Sequence, residues 1–315
     1  MLSVINQLGL INNDDTKYSG FIAVEGTPVS MPVTVIKGSQ PGPNILITGG
    51  VHGGEYPCIE TAIQLAKEIE PQNLHGNVVV IHPVNTSAFL ARMQYFGPYD
   101  GKNLNRVFPG KATGTVSDRI AYTVNQIQAA ADFYIDLHGG DIHESLVPFV
   151  IYSKNGGPEL AEQSRVTSSF VGFPYVVGSV SEGGSISGAA QSGTPGFLAE
   201  LGQCGRWSPE EVDEYKVGIY NVLKHLGSIA GDPKQHPDVA HLQKMDVLKA
   251  EDEGCWYPSV SLNQAVTKGQ KMGEIRDFFG TTLSEYTAEE SGVVLYLVTS
   301  LAITKDDPLA AIGVG

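Results

Sequence analysis

The stretch ITGGVHGGEYP (47–57) sets His52 and Glu55 three positions apart among four glycines. An imidazole and a carboxylate at that spacing, on a turn entering a helix, can aim at one point. Fixing glycine costs conformational entropy, so such a cluster marks unusual backbone angles or the close approach of another group. A second histidine, His138, ends DFYIDLHGG (132–140), another apolar run closing on glycines. Two histidines and a carboxylate are a ligand set of catalytic zinc, which keeps one position open for water. Either motif alone is commonly a hydrogen-bonded histidine or a chance match. Together, each following a buried strand, they favour one divalent ion held by His52, Glu55 and His138.

The segments around these residues read as an α/β unit. NILITGG (44–50), GNVVVIHPVN (76–85) and DFYIDLHGG (132–140) are short apolar runs of the kind that form buried strands. PFVIYS, FPYVVGS and GFLAELG read as further strands. Between them, YPCIETAIQLAKEIE (56–70) has apolar residues at helical spacing and Pro57 in its first turn. SDRIAYTVNQIQAAA (117–131) reads as a helix with Ser117 as N-cap, and SPEEVDEYKVGIYNVLKHLG (208–227) as one with an acidic first turn. The alternation predicts a mostly parallel or mixed sheet with helices on both faces. In such folds polar groups gather past the carboxyl ends of strands, where His52, Glu55 and His138 fall. After the Gly/Pro-rich IAGDPKQHPD (229–238) the pattern changes to short β-like runs. A catalytic domain over 1–235 and a small all-β domain over 236–315 are expected.

The formal charge of −14, from 34 acidic and 20 basic residues, argues against nucleic acid or an anionic membrane as partner. Cys58, Cys204 and Cys255 are too scattered for a disulfide framework or a CxxC metal site, which suits a reducing compartment. No signal peptide or bilayer span is legible, so a cytoplasmic protein is expected.

Four motifs in order carry a resemblance: HxxE on a glycine-rich loop, NLNRVFPG (103–110), DLHGG (136–140) and GTPGFLAELG (193–202). The set resembles the succinylglutamate desuccinylase/aspartoacylase family of the zinc carboxypeptidase-like superfamily, over roughly residues 20 to 310. The resemblance implies one zinc ion on His52, Glu55 and His138, with Glu200 as general base. It implies that Asn105 and Arg106 hold a substrate carboxylate and that Arg92 helps polarise the scissile carbonyl. It also implies that the C-terminal β-domain narrows the active-site entrance.

The chemistry is coherent on its own terms. A carboxylate in an apolar strand, as Glu200 would be, has a raised pKa suited to taking and returning a proton near neutrality. Arginine offers a planar fork for a carboxylate. Asp136, two residues before His138, is placed to orient that histidine or to cap a loop. Asn103 stands where many relatives carry aspartate and can still accept a histidine hydrogen bond, without the charge. His143 and Glu144 follow the His138 loop and could line the pocket, but a solvated loop is the favoured reading. The expected activity is amide hydrolysis on a small N-acyl amino acid with a free carboxylate. A carboxypeptidase acting on short peptides and a catalytically silent zinc- or small-molecule-binding relative are the alternatives, and a homo-oligomer is possible.

Overall fold

The computed structural model describes residues 1–10 and 15–315. The chain begins with α1 (Leu2–Gln7), β1 (Lys17–Ala23), β2 (Ser30–Lys37) and β3 (Gln40–Gly49). It continues through α2 (Tyr56–Glu68), β4 (His75–Ile81), α3 (Thr86–Ala91), α4 (Val116–Gln128) and β5 (Phe133–His138). Next come β6 (Glu144–Leu146), β7 (Phe149–Ser153), α5 (Pro158–Ser168), β8 (Tyr175–Ser179) and α6 (Ser185–Gln191). β9 (Gly196–Glu200), α7 (Pro209–His225) and β10 (Ala240–Leu242) complete the large unit.

Nine strands form one mixed sheet in the order β1-β2-β4-β3-β5-β9-β7-β8-β10. Its centre, β4-β3-β5-β9, is parallel, so the carboxyl ends of β3, β5 and β9 lie side by side. Alternate residues of the central strands face opposite cores, as the two-residue period of a strand requires. Ile45, Ile47, Phe133 and Ile135 pack beneath Leu65 of α2 and Tyr215 and Ile219 of α7. Leu46, Val79 and Tyr134 pack on the other side against Ile120 and Val124 of α4 and Ala189 of α6. Both faces of the sheet are therefore covered by helices, and the apolar runs are apolar throughout because neither face meets water.

The expected helices and strands form, with two local differences. The N-cap of α4 is Thr115 rather than Ser117. Asp118 in its first turn accepts from the Thr115 N–H (2.9 Å) and hydroxyl (2.8 Å), while Ser117 donates its N–H and hydroxyl to Asp100. Beyond residue 236 the chain first adds β10 to the large sheet, parallel to β8, before it enters the β-rich part.

That part contains β11 (Lys244–Lys249), β12 (Gly254–Pro258), β13 (Ala265–Val266) and β14 (Lys271–Arg276). β15 (Thr282–Thr287), β16 (Gly292–Val298), β17 (Ala302–Ile303) and β18 (Pro308–Val314) follow. They make two antiparallel sheets, β11-β18-β16-β13 and β15-β14-β12-β17, around Trp256, Met272, Ile275, Val294 and Leu309. β6, from the loop just past His138, pairs antiparallel with β16 and ties this part to the large unit. Among the described residues no helix is long and apolar enough to cross a membrane.

Candidate metal centre

β3 ends at Gly49, and the chain turns through residues 50–55 before α2 begins. Gly50 takes φ +75°, a region that favours glycine. A Cβ on Gly53 would stand 2.4 Å from the backbone of Ala88 and Phe89, so only glycine lets the loop lie against α3. Glu55 is the residue that caps α2, with Pro57 in the first turn where its missing N–H costs nothing.

The carboxylate of Glu55 lies between the two histidines. His52 Nδ1 is 2.6 Å from its Oε1 and His138 Nδ1 is 3.1 Å from its Oε2. The imidazole rings are nearly perpendicular, with centroids 4.9 Å apart. One ligand atom from each of His52, Glu55 and His138 lies within 4.8 Å of the others. The backbone N–H of Gly139 also donates to Glu55 Oε2 (3.1 Å).

Each histidine is fixed from behind. His52 Nε2 donates to Asn103 Oδ1 (3.0 Å), an oxygen that also accepts the Asn105 N–H (2.8 Å). His138 Nε2 donates to Asp136 Oδ2 (3.0 Å). Asp136 is fully buried and accepts further bonds from Thr48 Oγ1 (2.6 Å) and the Ser185 hydroxyl. With Nε2 of each ring turned to Asn103 or Asp136, Nδ1 is the atom that faces Glu55 and the one that a metal would take.

The electrostatics suit a cation at this point. Burial alone would raise the Glu55 pKa, but His138 and His52 outweigh it and hold the carboxyl at about 2. Burial would lower the His138 pKa, yet the carboxylates of Asp136 and Glu55 push it well above its ordinary value. Two nitrogens and a carboxylate, backed by hydrogen-bonded acceptors, fit a divalent ion such as zinc.

Glu200 ends β9 as the register partner of His138 on β5. Burial, and then the negative charge of Glu55, raise its pKa well above the ordinary carboxylate range. Asn105 is buried, and its Oδ1 accepts the Ser185 N–H at the start of α6 (2.7 Å). Arg106 is exposed and donates from Nη1 to the Asn105 carbonyl (2.7 Å), with no acidic partner among the described residues. Arg92 is placed differently. It ends α3 in the left-handed conformation (φ 54°), exposed, and lines a surface groove with Tyr56, Glu60, Leu90 and Trp207. No hydrogen bond or ion pair joins it to the histidine cluster among the described residues.

The reading of residue 144 as a solvated loop position is corrected by the fold. Glu144 is half-buried on β6, where Tyr296 of β16 donates to its Oε1 (3.1 Å) and the Asp141 N–H to its Oε2 (3.3 Å). Burial, then Asp141 and Glu55, push its pKa up to about 8. The Tyr95 ring packs 6.1 Å from that of His52, and beside it a cavity of about 340 Å³ opens toward the β-rich part. Tyr95, His143, Glu144, Tyr296 and Asp307 are in its wall. Nothing local in the sequence signals this, because Tyr296 comes from a strand 152 positions away from Glu144.

Residues 41–226 match the model of the succinylglutamate desuccinylase/aspartoacylase catalytic domain. The chain belongs to this family. A family relative, the N-alpha-acetyl-L-2,4-diaminobutyric acid deacetylase of Halomonas elongata, is 29% identical over 313 residues, covering 96% of this chain and 88% of the relative. Among solved structures, the product-bound ectoine utilization protein EutE (DoeB) from Ruegeria pomeroyi has a TM-score of 0.86 at 26% identity, covering 98% of each chain. The succinylglutamate desuccinylase/aspartoacylase from Rhodobacter sphaeroides has a TM-score of 0.84 at 27% identity, covering 96% of this chain and 97% of its own. The likeness to these proteins extends beyond the catalytic segment to nearly the whole chain.

Proposed function

We propose that this chain is a zinc-dependent hydrolase that cleaves the amide bond of a small N-acyl amino acid. The observation that carries this reading is the convergence of His52 Nδ1 and His138 Nδ1 on Glu55, with Glu200 in register beside His138. His52, Glu55 and His138 would hold the ion. Zinc would supply the Lewis acidity that amide hydrolysis needs at the carbonyl and at the attacking water.

The chain's own groups do the rest. Asn103 and Asp136 keep the two imidazoles aimed. Glu200, whose burial makes it a stronger proton acceptor than an exposed carboxylate, takes the proton of the attacking water and returns it to the departing amine. Arg106, without an acidic partner among the described residues, grips the free carboxylate of the substrate, and Asn105 braces its backbone against α6. The β-rich part supplies Tyr296 and Asp307 to the cavity beside Tyr95 and so limits the length of what can enter. The name of the Halomonas relative, a deacetylase of an acetylated amino acid, supports the same reaction class.

The test is a substrate panel on the zinc-loaded protein, with N-acetyl and N-succinyl amino acids set against short peptides. Release of the acyl group from small substrates is expected. Exclusive removal of C-terminal residues from peptides would overturn the reading in favour of a carboxypeptidase.

A further inference from the structure

We propose that the cavity between Tyr95 and the β-rich part is a receptor for a cationic side chain of the substrate, with Glu144 as its counter-ion. This deepens the reading of the chain as a hydrolase of small amino-acid derivatives and rests on it. The cavity adjoins the candidate centre at Tyr95, whose ring lies edge-on to that of His52 with centroids 6.1 Å apart. Its wall carries the carboxylates of Glu144 and Asp307, the phenols of Tyr95 and Tyr296, and the imidazole of His143. No lysine or arginine lines it among the described residues.

The carboxylates do not have equal freedom. Asp307 Oδ2 is taken by the N–H (2.8 Å) and hydroxyl (2.9 Å) of Thr304. Among the described residues Glu144 has only neutral donors, the Tyr296 hydroxyl and the Asp141 N–H, and no cation. Behind it Asp141 is 0% exposed, and its Oδ2 has no hydrogen-bond partner among the described residues. Its Oδ1 accepts from the His143 N–H (3.0 Å) and from Gln94 Nε2 (3.3 Å), both residues of the cavity wall. A buried acceptor without a donor is costly unless something arrives to satisfy it.

An ammonium group would bring Glu144 the cation it lacks and offset the charge of Asp141 behind it. It is compact, carries three donors, and would place its charge where two neighbouring carboxylates repel each other. An anionic or apolar side chain would meet Glu144 with no compensation. The reacting amide and carboxylate would lie toward His52, Glu200 and Arg106, and the cationic end toward β16.

The experiment is calorimetric binding of free amino acids, as product-like probes, to the metal-loaded protein at pH 7. The probes are 2,3-diaminopropionate, 2,4-diaminobutyrate, ornithine and lysine, compared with norvaline, which lacks the side-chain charge. At least one diamino acid is expected to bind tenfold or more tighter than norvaline. In Glu144→Gln that ratio is expected to fall to threefold or less. Tyr296→Phe, which removes only the hydroxyl that holds Glu144, is expected to lower the ratio by a smaller factor and serves if the first variant does not fold. Equal affinity for norvaline and every diamino acid in the wild type, or an unchanged ratio in the folded variants, overturns the proposal. Because binding is read without turnover, failure of the substrate panel bears on the hydrolase reading and leaves this test intact.

Discussion

His138 and Glu200 stand side by side as register partners at the carboxyl ends of β5 and β9. Paired residues of neighbouring strands point to the same face of the sheet, roughly 5 Å apart. A candidate ligand and a candidate proton acceptor are thus held at the parallel centre of the large sheet. Glu200→Gln keeps the shape and removes the basicity. It is expected to lower turnover at least about 100-fold while leaving the metal content unchanged. Steady-state kinetics with elemental analysis checks both, and an active variant would remove Glu200 from its role.

Asn103 orients His52 without carrying a charge. Removing the acceptor with Asn103→Ala frees the ring and its tautomer, so metal affinity is expected to fall about 10- to 100-fold. Competition with a chromogenic chelator measures this. Affinity within twofold of wild type would mean that the bond from His52 Nε2 does not matter for metal binding.

Gly53 lies where any side chain would strike the backbone of α3. Gly53→Ala must push the loop and His52 outward, or displace α3, at a cost of about 1–3 kcal/mol. Both a lower urea midpoint and weaker metal binding are expected. Unchanged values for both would show that the loop has slack.

Much of this arrangement is written locally. Apolar runs closing on glycines mark β3 and β5, and the proline and acidic first turns mark α2 and α7, because a strand buried on both faces and a helix start each impose a residue type at a given place. The convergence of His52, Glu55 and His138 was legible for that reason. The orienting role of Asp136 was legible too, since a two-residue spacing puts both side chains on one face of a strand. Arg92 was not. It lies at the end of α3, where the left-handed turn, rather than the spacing to Asn105 and Arg106, decides which surface it joins. The pairing of Glu144 with Tyr296 depends on β6 meeting β16, a contact between distant segments that no local pattern encodes. Likewise the three residues of β10 are too few to display a period, and only their place beside β8 makes them a strand.

The central claim is that His52, Glu55 and His138 bind one catalytic ion. Zinc content by mass spectrometry of the wild type and of His138→Ala, each dialysed against a weak chelator, tests it most directly. The account predicts about one zinc per wild-type chain and almost none in the variant. A wild type without stoichiometric metal, or a variant that keeps it, would contradict the account.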